Sequence, residues 1–202
     1  MQIDDYTVHI VDDEEVVRKS LAFLLATIGF SVRLHESGKS FLDMVPMLGR
    51  ACLVTDLRMP EMNGVELLEQ LRDRGAMVPS IVISGHGDVP MAVAAMKAGA
   101  VDFIEKPFED DVLVDAIKRA AAHLSVADQV SDVMALEAKL IQLSERERQV
   151  LVAVVSGLPN KTIAYDLKIS PRTVEVHRAN IMAKMQARSL PELVRMAIAM
   201  NL

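Results

Sequence analysis

A single cysteine, Cys52, stands in 202 residues, which leaves no partner for an internal disulfide and no multi-cysteine metal site. Apolar runs are short, such as Leu21-Ala22-Phe23-Leu24-Leu25, well below the roughly 20 residues of a membrane span. The opening Met1-Gln2-Ile3-Asp4-Asp5 is acidic and unlike a signal or transit peptide. A glycine-rich loop ending in Lys-Ser/Thr is also missing, which excludes a P-loop nucleotide hydrolase. These absences predict a protein of the reducing cytoplasm. What is present is ordinary globular composition: 51% hydrophobic and 25% charged residues, against disorder, collagen or coiled-coil fibre. The length suits one large domain or two small ones.

Charge divides the chain. Residues 1–123 hold 12 Lys and Arg against 20 Asp and Glu, residues 124–141 hold 1 against 3, and residues 142–202 hold 9 against 5. An acidic body with a basic tail suggests two jobs, the second on a polyanion. We divide the chain into residues 1–122, a linker over 123–141, and a tail domain over 142–202.

The body alternates strand and helix patterns. Tyr6 to Val11, Phe30 to Leu34, Ala51 to Thr55, Ser80 to Ile83 and Val101 to Ile104 read as strands. Between them, Val17-Leu21-Leu24-Ile28 recur at helical spacing until Gly29, Lys39 to Leu48 form a helix broken or bent near Pro46, and Asn63 caps a third. Val89 to Ala98 and Asp110 to Ala122 are the last two helices. Five apolar strands, each followed by a helix, predict an α/β fold with a doubly wound parallel sheet.

Such sheets place their sites beyond the carboxyl ends of the strands. Those ends carry Asp12 and Asp13, Asp56, Ser84 and Lys106. Converging carboxylates repel, and a hard divalent cation relieves them; Mg²⁺ suits one or two carboxylates completed by water and a phosphoryl group. We expect Asp13 and Asp56 as ligands, Asp12 behind them or holding a coordinated water, and the carbonyl of Arg58 completing the set. Asp56 is then the nucleophile toward a phosphoryl group, with Lys106 and Ser84 contacting its oxygens. A haloacid-dehalogenase-type phosphatase would want a second Asp two residues after the nucleophile, where Arg58 stands. A flavin binder would want a hydroxyl- and glycine-rich first loop, where Asp-Asp-Glu-Glu stands.

Val11-Asp12-Asp13-Glu14, Thr55-Asp56-Leu57-Arg58-Met59-Pro60 with Gly64, Ser84-Gly85-His86 and Lys106-Pro107-Phe108 resemble the receiver domain of bacterial two-component response regulators over residues 5–122. The resemblance implies strand order 2-1-3-4-5, phosphorylation of Asp56 by a sensor histidine kinase, Mg²⁺, and a cis Lys106-Pro107 bond. It also implies a switch pair, Ser84 and Phe103, where many relatives carry Thr and Tyr. Ser84 drawn toward the phosphoryl group would pull the Gly85-His86-Gly87 loop and let Phe103 fill the vacated space. His86 reads as exposed and polar rather than as a ligand. The fourth helix is apolar around much of its circumference, so we expect Val93 and Lys97 to join a phosphorylation-dependent homodimer.

No Gly or Pro interrupts Ala120 to Ile141, which predicts a helical linker. The tail opens with the capping box Ser144-Glu145-Arg146-Glu147, Gly157 ends that helix, and Asn160 caps a second. Ser170 caps a third that begins at Pro171, and Pro191 starts a fourth running to Met200. The tight turn at Lys168-Ile169 makes a helix-turn-helix. At about 100° per residue, Val174, Ile181 and Met185 share one side of the third helix, with Arg178 and Met182 at its margin. Arg172, Glu175, Val176, Ala179 and Asn180 lie opposite and are candidates for base edges in a major groove. Lys161, Thr173, His177 and Lys184 flank that face and suit phosphates. The tail resembles the LuxR/NarL-type helix-turn-helix over residues 140–200, from Leu143-Ser144-Glu145-Arg146-Glu147 through Asn160-Lys161-Thr162-Ile163-Ala164 to Thr173-Val174-Glu175-Val176-His177. Glu175 stands where relatives often carry Lys. Together the two resemblances imply a transcription activator, not an enzyme beyond slow autodephosphorylation. Its implied partners are a kinase, promoter DNA and RNA polymerase; it would be monomeric until phosphorylated. Rival readings are an aspartate phosphatase, a constitutive dimeriser and a protein-binding helical bundle.

Overall fold

The computed structural model describes residues 6–85, 89–122, 136, 139–200 and 202. His86, Gly87 and most of the expected linker helix lie outside the described residues. Five strands, β1 (Thr7–Val11), β2 (Ser31–His35), β3 (Ala51–Asp56), β4 (Ser80–Ser84) and β5 (Ala100–Glu105), form one parallel sheet in the order β2-β1-β3-β4-β5. β3 and β4 are buried along nearly their whole length, as central strands covered on both faces must be. The edge strand β2 is mostly exposed.

Helices α1 (Glu15–Ile28), α2 (Gly38–Leu42), α3 (Gly64–Asp73), α4 (Val89–Lys97) and α5 (Asp110–Ala122) follow the strands in turn. Gly29 ends α1 at φ +100°, a left-handed conformation, and its N–H reaches back to the carbonyl of Ala26. Strand alternation sorts the core. Val8, Ile10, Cys52, Val54, Ile81 and Ile83 pack with Leu25, Leu113 and Ile117 from α1 and α5. Leu53, of opposite parity, points to the other face, where Phe41, Leu42, Leu67 and Leu71 of α2 and α3 are also buried. The helix expected over Lys39 to Leu48 is indeed broken near Pro46, into α2 and a 3₁₀ turn at Val45–Met47; Pro46 supplies no N–H to continue a helical ladder.

The tail holds α6 (Glu145–Val155), α7 (Asn160–Leu167), α8 (Pro171–Met185) and α9 (Leu190–Ala199). The chain divides into two compact units, one built on the sheet and one on these helices, with which α4 is grouped. Val150, Leu151, Val154, Ile163, Val174, Ile181, Met185 and Leu193 make the tail's core. Ser144 and Glu147 form the expected capping box, and Ser170 accepts from Thr173 N ahead of Pro171. Two boundaries differ from expectation. Asn160 is the first residue of α7 rather than its cap, because its amide oxygen is taken by Arg178. Ser189 caps α9, so Pro191 falls second in that helix.

Candidate functional site

The parallel register brings the strand ends together. Val11 lies opposite Thr55, Asp56 opposite Ile83, and Ser84 opposite Glu105, so the residues at and just beyond these ends share one crevice. Lys106 Nζ donates to Asp56 Oδ1 at 2.7 Å and stands 3.6 Å from Asp12 Oδ2. Asp56 Oδ2 accepts from Arg58 N at 2.7 Å, and Asp12 Oδ1 from Glu14 N at 2.8 Å. The Lys106-Pro107 bond is cis, and Lys106 N donates to Ser84 O at 2.8 Å. Gly64 abuts this site: a Cβ there would stand 2.6 Å from the backbone oxygen of Asp56, so only glycine lets α3 begin so close. Asn63 and Glu66 lock that helix start with a reciprocal capping box.

Burial governs the charges. Asp12 is only 3% exposed, and burial holds its carboxyl above the usual range, against the opposing pull of the Glu14 N–H and the Lys106 charge. Burial alone would lower the Lys106 ammonium; the bond to Asp56 and the charges of Asp56 and Asp12 outweigh it and raise it. Lys106 is therefore a fixed cation aimed at Asp56.

In the tail, Arg172, Glu175, Val176, Ala179 and Asn180 are all exposed on one side of α8, with Val174, Ile181 and Met185 buried on the other. Lys161 is exposed, Thr173 and His177 half-buried. Thr173 is tied to the Ser170 hydroxyl at 2.8 Å, and His177 Nδ1 is buried without a hydrogen-bond partner. Arg172 pairs with Glu175 at 2.9 Å across one turn. Lys184 is committed elsewhere: its Nζ donates to the buried carboxylate of Glu147 at 2.7 Å, tying α6 to α8. A tight hairpin of helices with one stripe buried and the other bare can enter a major groove.

The response regulator receiver domain family matches residues 8–118, and the luxR family of bacterial regulatory proteins matches residues 141–197. The chain belongs to the two-component response regulators. It is 68% identical to the transcriptional regulatory protein FixJ of Rhizobium meliloti over 96% of each chain. To the FixJ of Azorhizobium caulinodans it is 55% identical, over 95% of this chain and 91% of that one. The crystal structure of full-length FixJ from B. japonicum, 47% identical, matches with a TM-score of 0.58 over 97% of this chain and 98% of that one. The receiver fold and the LuxR-type DNA-binding domain are thus both present in this response regulator.

Among the described residues no three His, Cys, Asp or Glu side chains are gathered closely enough to cage a metal on their own. The regulator's crevice fits Mg²⁺ in a different manner. Two carboxylates, Asp12 and Asp56, converge on the same ammonium, and the exposed Asp13 follows Asp12; a cation that keeps several waters needs no more. Ser84 is fully buried at the end of β4, and Phe103, two residues before Ser84's register partner Glu105, is buried on β5. Val93 of α4 is 2% exposed and Lys97 is exposed. Among the described residues no helix is long and apolar enough to cross a membrane.

Sequence spacing missed several residues. Arg18 donates to the Asp12 carbonyl and braces the loop from α1. Arg178 Nη1 donates to Asn160 Oδ1 at 2.7 Å and fixes α7 against α8. Glu147 was legible as a cap but not as the partner of Lys184, 37 residues away.

Proposed function

We propose that this regulator is switched by phosphorylation of Asp56 and acts as a phosphorylation-dependent transcription activator. The observation that carries the reading is Lys106 Nζ, 2.7 Å from Asp56 Oδ1 and within reach of Asp12. An Asp56 oxygen attacks the phosphorus of a phosphohistidine on a sensor kinase; the P–N bond breaks, the imidazole nitrogen leaves with its electron pair, and an acyl phosphate forms. Asp12, Asp13, Asp56 and the carbonyl of Arg58 would hold Mg²⁺, which supplies charge neutralisation for the transferring group. Lys106 contacts one phosphoryl oxygen and the Ser84 hydroxyl another, and Phe103 follows Ser84 inward.

Dimerisation through α4 is part of the proposal. Lys97 is available, whereas Val93 is buried, so pairing through Val93 requires that it be uncovered on phosphorylation. The basic tail then binds a two-part promoter site. Arg172, Glu175, Val176, Ala179 and Asn180 face base edges, while Lys161, Thr173 and His177 approach phosphates. Lys184, already paired with Glu147, enters as a lesser phosphate contact. Similarity to the FixJ proteins supports a FixL-like kinase and control of nitrogen-fixation and microaerobic genes, with RNA polymerase as the downstream partner in the cytoplasm.

The test is Asp56→Asn, assayed with acetyl phosphate and Mg²⁺. The variant is expected to fold, to incorporate no phosphate, and to leave DNA affinity and oligomeric state unchanged by the donor. Wild-type-like activation by that variant would refute phosphorylation control.

A further inference from the structure

Among the described residues one buried side-chain nitrogen or oxygen has no hydrogen-bond partner: Nδ1 of His177, on α8. At about 100° per residue, His177 falls about 60° from Val174, between the buried stripe of that helix and the exposed Val176 and Asn180. A polar atom taken out of water and left unpaired costs stability, and an apolar side chain would fill the same place without that cost.

The other ring nitrogen gives the cost a purpose. Nε2 has no protein partner among the described residues either, yet it is not sealed, so it opens to solvent at the margin of the bare stripe. In a neutral imidazole one nitrogen carries the proton and the other a lone pair. A buried N–H with no acceptor is the rarer case, so Nδ1 holds the lone pair and the N–H stands at Nε2. Two neighbours on this edge of α8 are engaged elsewhere. Thr173, one turn before, is tied to the Ser170 hydroxyl at 2.8 Å, and Lys184, two turns on, to Glu147 at 2.7 Å. We propose that His177 is the donor that seats α8 on DNA, its Nε2–H bonding one backbone phosphate oxygen while the sealed Nδ1 keeps the ring turned that way. The contact is an uncharged hydrogen bond rather than an ion pair, so it fixes depth and register without adding to the salt dependence. The inference rests on the reading of α8 as the groove helix and narrows one of its contacts to a single atom.

The experiment uses the full chain treated with acetyl phosphate and Mg²⁺ at about pH 8, where a free imidazole is neutral. The probe is a short random-sequence duplex, since a phosphate contact needs no particular base sequence. Three variants separate the two nitrogens. His177→Leu removes both; it is expected to raise the melting temperature of the tail by roughly 4 °C and to weaken DNA binding roughly tenfold, with the salt slope unchanged. His177→Gln carries an amide out to the level of Nε2 and nothing polar at the level of Nδ1, and should keep its affinity within about threefold of wild type. His177→Asn does the reverse, and should bind as weakly as His177→Leu without the gain in melting temperature. The proposal is overturned if His177→Leu melts below wild type, if its salt slope falls by about one counterion, or if His177→Gln binds no better than His177→Asn. Lys161→Ala separates the two readings. If it weakens binding while His177→Leu does not, this inference alone falls; if neither has an effect, the groove reading falls with it.

Discussion

Acid should weaken the receiver through His9. This imidazole is 2% exposed, stacked on His35 at 5.1 Å and edged by Phe41, and its pKa is lowered from 6.5 to about 4. Burial is the main cause, followed by the nearby charges of His35 and Arg33. Above pH 6.5 both the folded and unfolded chains hold the ring neutral, and the stability it allows is complete. As the pH falls through 6.5 toward 4, the unfolded chain takes up a proton that the folded chain refuses, so stability drops; below that the loss levels off. At about 1.4 kcal/mol per pH unit the whole window is worth up to ~3 kcal/mol, and about 2 kcal/mol of it falls between about pH 7 and pH 5. The assay is urea unfolding of wild-type chain and His9→Gln across that range, followed by a probe in the sheet. Gln has no charge to gain, while His35, also lowered by burial, is present in both proteins. The wild type should lose about 2 kcal/mol more than the variant on acidification. Parallel pH dependences, or a His9 ring titrating near 6.5 in an NMR pH series, would refute the reasoning.

Two other perturbations test the geometry. Gly64→Ala puts a methyl 2.6 Å from the Asp56 carbonyl and must displace either α3 or the Asp56 loop; about 1–3 kcal/mol of stability should be lost, with slower phosphoryl uptake from acetyl phosphate in the protein that remains folded. Lys184→Met strands the Glu147 carboxylate in the tail core, and thermal unfolding of the tail should show a loss of about 2 kcal/mol, below the full buried-pair penalty because Lys184 is partly exposed. The salt dependence of DNA binding by folded Lys184→Met should match wild type, whereas Lys161→Ala should flatten the slope by about one counterion.

The crevice was legible because its members sit at fixed points of a repeating unit. Once five apolar runs are read as parallel strands, the residue after each run is at a known end of the sheet, and Asp12, Asp56 and Lys106 meet without further information. The exposed stripe of α8 was legible for the same reason, since helical period alone separates Val174, Ile181 and Met185 from Arg172 and Glu175. Period says nothing about what a side chain meets beyond its own element. Asn160 has the chemistry of a cap and the position of one, yet Arg178 from the next helix takes its oxygen. Lys184 is basic and flanks the recognition face, yet a carboxylate 37 residues earlier takes its ammonium.

Those two exceptions share a consequence for how the tail works. Arg178 and Lys184 are both cations of α8, and both are spent on holding that helix in place, one against α7 and the other against α6. Arg172 is drawn toward Glu175, on the exposed side. If α8 is the helix that enters the groove, as proposed, it would meet DNA with fewer free charges than its sequence advertises, and charged phosphate contacts would fall to Lys161 of α7 and other groups outside the helix. On that proposal, discrimination would rest on shape and on the few exposed side chains from Arg172 to Asn180, rather than on a general attraction to the polyanion.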